Sequence, residues 1–315
     1  MSSEIKIFAG SSHPKLAQEI AECLKLPLSK MDLKHFACKE IYARVLESVR
    51  GMDVFLIQTA TQHVNEDYME LFIMIDALKR SFAKSVHVVM PHFGYARQDR
   101  VASPREPITA KLMASLIEAA GADHVITTHL HSDQIQGFFR FPVDNLSAKR
   151  LFCEYFRNKK LKDLVIVSPD AGGAKDAKKF ADKIGADLAI IHKNRPKHNV
   201  SEVMHVVGNV KAKTCLLYDD MIDTAGSVCA AKKALEAHGA NKDVYLAATH
   251  AIFSDPALQR LEEAGFKEVV VSNSLPIKED AFRGLKIISI ASLLADIIKN
   301  VHEGKSLTKL VYGEE

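Results

Sequence analysis

The segment Thr214–Ser227, TCLLYDDMIDTAGS, gathers residue types that can do phosphate and sugar chemistry. An apolar run meets the paired acids Asp219 and Asp220, and Asp223-Thr224-Ala225-Gly226-Ser227 then opens a helical pattern. Backbone N–H groups of Thr224 to Ser227, at the carboxyl end of a strand, can converge on a phosphate at the helix N-terminus. The two adjacent carboxylates can accept hydrogen bonds from sugar hydroxyls. A turn with acidic caps is the competing explanation for D-x-x-D-T-x-G alone. The succession of strand, acid pair, loop and helix disfavours it.

Two further segments carry polar groups at strand ends. In SPDAGG, Ser168–Gly173, Asp170 follows the apolar run Leu164–Val167, and Gly172 and Gly173 let the backbone approach a ligand. A helix N-cap is the ordinary role for an acid there. Lys193 and Arg195 follow the run Leu188–Ile191 on a polar segment punctuated by Pro196, which suits a mobile loop closing over phosphates. A solvated basic turn is the alternative.

The elements that must position these groups alternate. Apolar, β-branched-rich runs recur at Ile5–Ala9, Val54–Gln58, Val86–Met90, Val125–Thr128, Leu164–Val167, Leu188–Ile191, Thr214–Tyr218, Val244–Ala248 and Val269–Val271. Continuous apolarity suits strands covered on both faces. Helical patterns lie between many of them. In Asn65–Phe82, for instance, Tyr68, Leu71, Phe72, Ile75, Leu78 and Phe82 form one stripe, with Asn65 as the expected N-cap. Met69, Ile73 and Met74 lie off the stripe. Such alternation predicts an α/β chain of two doubly wound halves with mostly parallel sheets, dividing near Asp144–Ala148. The last helix, Ala291–His302, is expected to return to the first half.

Composition narrows the function classes. With 315 residues and 47% apolar content the chain has ample core material. Its net charge of +3 gives no electrostatic footprint for nucleic acid. Five scattered cysteines, Cys23, Cys38, Cys153, Cys215 and Cys229, form no zinc spacing and suit a reducing cytoplasm. The start MSSEIKIFAGSSH lacks a signal-peptide design, and no apolar run approaches bilayer length, so no membrane partner is expected.

Thr214–Ser227 resembles the phosphoribosyl-pyrophosphate loop shared by type I phosphoribosyltransferases and ribose-phosphate diphosphokinases. Gly94–Arg100 (GYARQDR), Arg105–Lys111 (REPITAK), Gln134–Phe139 (QIQGFF), Ser168–Gly173 and His192–Pro196 (HKNRP) resemble the diphosphokinases in particular. The likeness runs from Lys6–Pro14 to Asn300–Gly304. It implies two doubly wound domains of type I phosphoribosyltransferase-like fold, over 1–146 and 147–290, with 291–315 packing back on the first. The implied reaction is transfer of the β,γ-diphosphoryl group of ATP, as its Mg2+ complex, to the anomeric hydroxyl of ribose 5-phosphate.

The resemblance also implies roles. Lys193 and Arg195 match the catalytic pair, and Arg195 with Asp219, Asp220, Asp223, Thr224, Ala225, Gly226 and Ser227 the ribose-5-phosphate site. Arg97 and Gln98 match nucleotide contacts. Phe36, Cys38, Lys39 and Glu40 match a loop reaching adenine, commonly across a subunit boundary. His131 and Asp170 match metal-linked positions. The family assembles dimers into hexamers, and Ser48 and Arg50 match a segment of its phosphate- and ADP-responsive site.

Several positions depart from the family. Phe36-Ala37-Cys38-Lys39-Glu40 stands where Phe-Ser-Asp-Gly-Glu or Phe-Ser-Asn-Gln-Glu is usual, and a thiol is a weak acceptor. His129 and Arg140 stand where Asp is common. Tyr218 replaces a β-branched residue and Ser227 a Thr, two changes that look mild. The tail reads SLTKLV, not SVSYLF. A working synthetase with altered nucleotide or metal handling is the expectation. The alternatives are a catalytically weakened regulatory or associated subunit, and a phosphoribosyltransferase using only the shared loop.

Overall fold

The computed structural model describes residues 5–194 and 203–312. By its internal contacts the chain divides into two units. One runs up to Ser147 and takes back Ser274–Pro276 and the chain from Ser289 on; the other holds Ala148–Asn273 and Ile277–Ile288.

The first unit is an α/β layer. Its elements are β1 (Ile5–Ala9), α1 (Pro14–Leu24), β2 (Met31–His35), β3 (Ile41–Val45), β4 (Asp53–Ile57), α2 (Val64–Arg80), β5 (Ser85–Met90), α3 (Thr109–Ala120), β6 (His124–Thr128) and β7 (Val143–Leu146). Strands pair in the order β1-β4-β5-β6-β7, every pairing parallel, while β2 and β3 form a separate antiparallel hairpin. Phe55, Leu56, Val88, Val89, Val125 and Ile126 are fully buried, as unbroken apolar strands require when helices cover both sheet faces.

The second unit carries α4 (Lys149–Lys159), β8 (Leu164–Ser168), α5 (Ala174–Ile184), β9 (Asp187–Asn194), β10 (Val203–Val207), β11 (Thr214–Ile222), α6 (Gly226–Ala237), β12 (Tyr245–Ala251), α7 (Ala257–Ala264), β13 (Glu268–Ser272) and β14 (Leu285–Ile288). Its sheet runs β10-β9-β8-β11-β12-β13-β14, parallel except for the β9/β10 edge. The chain ends in α8 (Ala291–His302) and α9 (Thr308–Tyr312), both within the first unit, where α8 packs on α1. Ser289 Oγ donates to Glu19 Oε2 at 2.6 Å beside that contact.

Two local expectations are corrected. Helix α2 starts at Val64, after His63, and Asn65 is not its cap. Instead Asp67 reaches back, accepting from Thr61 N at 2.6 Å and Thr61 Oγ1 at 2.7 Å. That acid braces the turn ahead of the helix, while the cap residue His63 makes no side-chain capping bond. Phe82 lies outside α2 with φ +64 and 61% exposure, its ring under the Arg50 guanidinium at 4.1 Å. The helical stripe ends at Leu78 because the chain turns at Ser81.

One polar chain crosses the first sheet. Ser85 Oγ donates to Asp53 Oδ1 at 2.7 Å and meets His87 Nε2 at 2.9 Å. His87 Nδ1 faces His124 Nδ1 at 3.1 Å, and His124 Nε2 meets Asp144 Oδ2 at 3.0 Å. His87 also stacks on Phe55, 4.5 Å between centroids. A single proton fills the Nδ1–Nδ1 contact, so the two rings cannot both donate into it. Burial and the neighbouring His124 lower the His87 pKa from 6.5 to about 4. Below pH 6.5 the unfolded chain therefore takes up a proton that folded His87 refuses, and stability falls as the pH drops towards 4. The loss attributable to this ring is on the order of 3 kcal/mol across that window. A His87→Gln variant is expected to flatten the acid limb of the unfolding free energy, measured by urea titration at successive pH values. Parallel profiles for variant and parent would contradict this.

Candidate active site

In the second unit the acid pair lies inside a strand. Strand β11 extends to Ile222, so Asp219 and Asp220 occupy its carboxyl-terminal part instead of following it. Leu217 pairs with Val167 near the end of β8, so the carboxyl-terminal part of β11 runs on past β8 beside the turn that carries Asp170. Asp170 is within electrostatic reach of Asp219. Three carboxylates thus gather at the carboxyl ends of two adjacent strands, where open α/β sheets bind ligands.

The electrostatics of that cluster favour a cation or a hydrogen-bond donor. Burial, and next the like charge of Asp220, push the Asp219 carboxyl well above the usual range. A cation or sugar hydroxyl arriving there would relieve both effects. Asp219 Oδ1 accepts from the Asp220 N–H at 2.9 Å. Asp170 is exposed, and its Oδ1 accepts from Gly173 N at 3.0 Å. It thus shapes the turn before α5 without being that helix's N-cap, a position held by Gly173.

The loop after β11 is held open by backbone geometry. Ala225 adopts φ +59, a left-handed conformation that turns the chain into α6. The first N–H groups of α6 have no acceptor within the helix, as at any helix N-terminus. A Cβ on Gly226 would meet Arg260 Nη1 at 3.4 Å and Thr224 Oγ1 at 3.9 Å, ordinary contacts. The fold therefore tolerates a side chain there, and the bareness of Gly226 leaves room outside the helix start. Sequence reasoning missed Arg260 of α7, whose Nη1 donates to Thr224 O at 3.0 Å. It ties down the loop and brings a guanidinium close to the start of α6. Nothing in its local sequence signals this, because α7 approaches the loop only through the fold.

Lys193 lies near the carboxyl end of β9, paired in register with Met204 of β10. Arg195 lies outside the described residues.

In the first unit the β2/β3 hairpin carries the candidate adenine loop at its tip. Phe36 N donates to Glu40 O and Lys39 N to Phe36 O, both at 2.9 Å. Phe36, Cys38, Lys39 and Glu40 are all exposed, and Phe36 contacts the Tyr42 ring edge-on at 5.6 Å. Lys39 has φ +74, a conformation that suits glycine.

Arg97 and Gln98 are exposed on the loop after β5. Gln98 ties this loop to α3, its Oε1 accepting from Thr109 Oγ1 at 2.6 Å and its backbone carbonyl from Ala110 N at 3.1 Å. Gly94 is required there, since a Cβ would lie 2.7 Å from Val64 Cγ2 and 2.8 Å from Ala60 Cβ. His131 is exposed just past β6. His129, the departure two residues earlier, has φ +49 and donates from its backbone N to Leu146 O at 2.8 Å. Histidine shares with Asp and Asn an enrichment in left-handed backbone, which accounts for its tolerance at this bend. Among the described residues no three His, Cys, Asp or Glu side chains form a ready metal cage.

Comparison with known proteins gives a consistent answer. Residues 5–121 match the family described as the N-terminal domain of ribose phosphate pyrophosphokinase, and residues 194–312 match the phosphoribosyl synthetase-associated domain. The chain is 50% identical over 310 residues, 98% of each chain, to the ribose-phosphate pyrophosphokinase of Caldanaerobacter subterraneus subsp. tengcongensis. It is 48% identical to that of Bacillus subtilis, over 97% of this chain and 96% of the relative. Among solved structures, phosphoribosylpyrophosphate synthetase from Mycobacterium smegmatis superposes with a TM-score of 0.91 at 46% identity, covering 96% of this chain and 100% of that one.

The hairpin tip gives a direct check on backbone strain. Lys39→Gly is expected to raise the unfolding free energy by about 1 kcal/mol, and Lys39→Val to lower it, because only glycine adopts positive φ freely. Chemical denaturation of the two variants reads this out. Equal stability of both would show that the tip carries no such strain.

Proposed function

This chain belongs to the ribose-phosphate pyrophosphokinase family, and from that premise we infer that it makes phosphoribosyl pyrophosphate and AMP from ATP and ribose 5-phosphate. The single observation that carries the reading is the convergence of Asp170, Asp219 and Asp220 beside the left-handed Ala225 turn that opens α6. Full-length identity to named pyrophosphokinases supports catalysis by this chain, and nothing favours the regulatory-subunit reading. The same coverage disfavours a phosphoribosyltransferase that shares only the loop.

Asp219 and Asp220 accept hydrogen bonds from the ribose hydroxyls and orient the anomeric hydroxyl. The loop Asp223, Thr224, Ala225, Gly226 and Ser227 holds the 5-phosphate through backbone N–H groups, with Arg260 adding positive charge behind it. Arg97 meets the ATP phosphates through charge-assisted contacts, and Gln98 fixes the loop that carries it. Phe36 stacks on the adenine, with Cys38, Lys39 and Glu40 at its edge. Lys193 and Arg195 neutralise charge on the transferring diphosphoryl group.

Magnesium fits the donor set. Asp170 in the second unit offers hard carboxylate oxygens, and His131 in the first is the other metal-linked position; the ion would complete its shell with water and phosphate oxygens. When bound, it neutralises phosphate charge and orients the ATP. The reading further includes a homo-oligomer, a hexamer built from dimers, in the cytoplasm. Among the described residues no helix is long and apolar enough to cross a membrane.

Purified chain with ATP, ribose 5-phosphate and Mg2+ is expected to release AMP, and Lys193→Ala to reduce turnover by about 1000-fold or more, the scale of losing a charge-stabilising group in the transition state. Parent activity no higher than that of the variant overturns the synthetase reading. At the adenine loop, Cys38→Asp is expected to tighten ATP binding roughly threefold or more in calorimetry, since a carboxylate accepts hydrogen bonds that a thiol accepts weakly. Equal or weaker binding would show that Cys38 is not a lost acceptor.

A further inference from the structure

Asn65 occupies the sequence position that predicts a helix cap, yet the fold gives its side chain another partner. Its Oδ1 accepts from the Tyr95 hydroxyl, 30 residues further on in the loop after β5. Three residues along α2 from Asn65, Tyr68 is 2% exposed, and a phenol so buried needs a hydrogen-bond partner. Its hydroxyl donates to Gly94 O at 3.0 Å. Residues three apart on a helix share a face, so one face of α2 holds two consecutive residues of the loop. The Tyr68 ring itself is fixed among Phe72, Phe93 and Tyr95, with centroids at 5.9, 6.2 and 6.0 Å.

The far side of the same loop is held from α3. Gln98 N donates to Tyr95 O at 2.9 Å, closing a turn, while Gln98 O and Oε1 accept from Ala110 N and Thr109 Oγ1. Arg97 stands exposed inside that turn, directly after the buried Ala96. The backbone being held is not relaxed, because Tyr95 adopts φ +63, a conformation that costs a residue with a side chain. Approach to α2 is also close, since a Cβ on Gly94 would lie 3.1 Å from Tyr68 Cε2. Removing the partners of Gly94 O and of the Tyr95 hydroxyl would let the turn relax and carry Arg97 with it. A guanidinium that meets phosphate oxygens depends on its placement, so such a shift is felt in binding.

We propose that Asn65 and Tyr68 are positioning residues for ATP, fixing from α2 the backbone of Gly94 and Tyr95 and so the place from which Arg97 reaches the phosphates. The brace rests on the reading of Arg97 and Gln98 as ATP contacts. Asn65 and Tyr68 act through the loop, and Arg97 supplies the charge. Asn65 thereby has a role in place of the cap that its position along the chain predicts.

Tyr68→Phe removes only the hydroxyl and keeps the ring contacts. Calorimetry with ATP and Mg2+ is expected to show binding weakened roughly three- to tenfold, the effect of one lost hydrogen bond, with ribose 5-phosphate binding changed by less than about twofold. Steady-state kinetics should repeat the split, with the KM for ATP raised and that for ribose 5-phosphate held. Asn65→Ala and Tyr95→Phe break one bond from its two ends, so each should weaken ATP binding and the double variant should be no worse than the weaker-binding single one. Asn65 is exposed, and if Tyr68→Phe fails to fold the Asn65 and Tyr95 variants decide by themselves. Unchanged ATP affinity in Tyr68→Phe or in Asn65→Ala, equal weakening towards both substrates, or additive effects in the double variant would overturn the brace. Arg97→Ala separates this from the reading beneath it. Unchanged ATP affinity in Arg97→Ala would overturn the assignment of the loop to ATP, whereas weakened binding there with none in Tyr68→Phe and Asn65→Ala would overturn the brace alone.

Discussion

Parallel pairing of β11 with β8 is the constraint on which the second unit's site depends. The register Leu217 to Val167 fixes where the two strands end relative to one another. Because the strands run the same way, Asp219 and Asp220 arrive at the edge where the turn after β8 presents Asp170. An antiparallel pairing would send those groups to opposite ends of the sheet. Burying Asp219, and next setting Asp220 beside it, carries an electrostatic cost that raises the Asp219 pKa. A cation or a hydrogen-bond donor placed there would offset that cost, which is what makes the cluster a candidate ligand site.

A chain with a net charge of only +3 handles polyanions by local means. Helix-start N–H groups after Ala225 provide positive character without a formal charge, and Arg260 adds a guanidinium through Thr224 O. Arg97 is placed by a loop whose neighbour Gln98 is tied to α3, so the exposed cation projects from a fixed base. Global charge says little about such sites, because the relevant fields are set within a few ångströms.

The departures from the family pattern separate by their surroundings. Cys38 and Lys39 lie at an exposed hairpin tip and bear on what that tip contacts. His129 sits at a left-handed bend that histidine tolerates. Tyr218, which looks mild as a change of residue type, is the most deeply embedded of them. Its ring packs between Phe152 of α4 and Phe180 of α5. A substitution's chemical size is a poor guide to its consequence when the residue sits beside a binding strand.

Much of this protein was legible along the chain. The run Ile5–Ala9 and the helix Ala291–His302 match their observed bounds, because apolar runs and amphipathic stripes are local consequences of burying one face. The turn at Asp223–Ser227 that opens α6 was equally local, since a strand end, a loop and a helix start use consecutive residues. What only the tertiary structure decided depends on residues far apart in sequence. Helix α2 starts after His63 with Asp67 bonded back to Thr61, and the turn at Ser81 removed Phe82 from the helical stripe. Arg260 reached its loop from 36 residues away, and Lys149 and Asp176 met each other from two different helices. Local sequence encodes which face of an element is apolar; which polar group ends up opposite another is set by the packing of the sheet, and no spacing rule along the chain contains it.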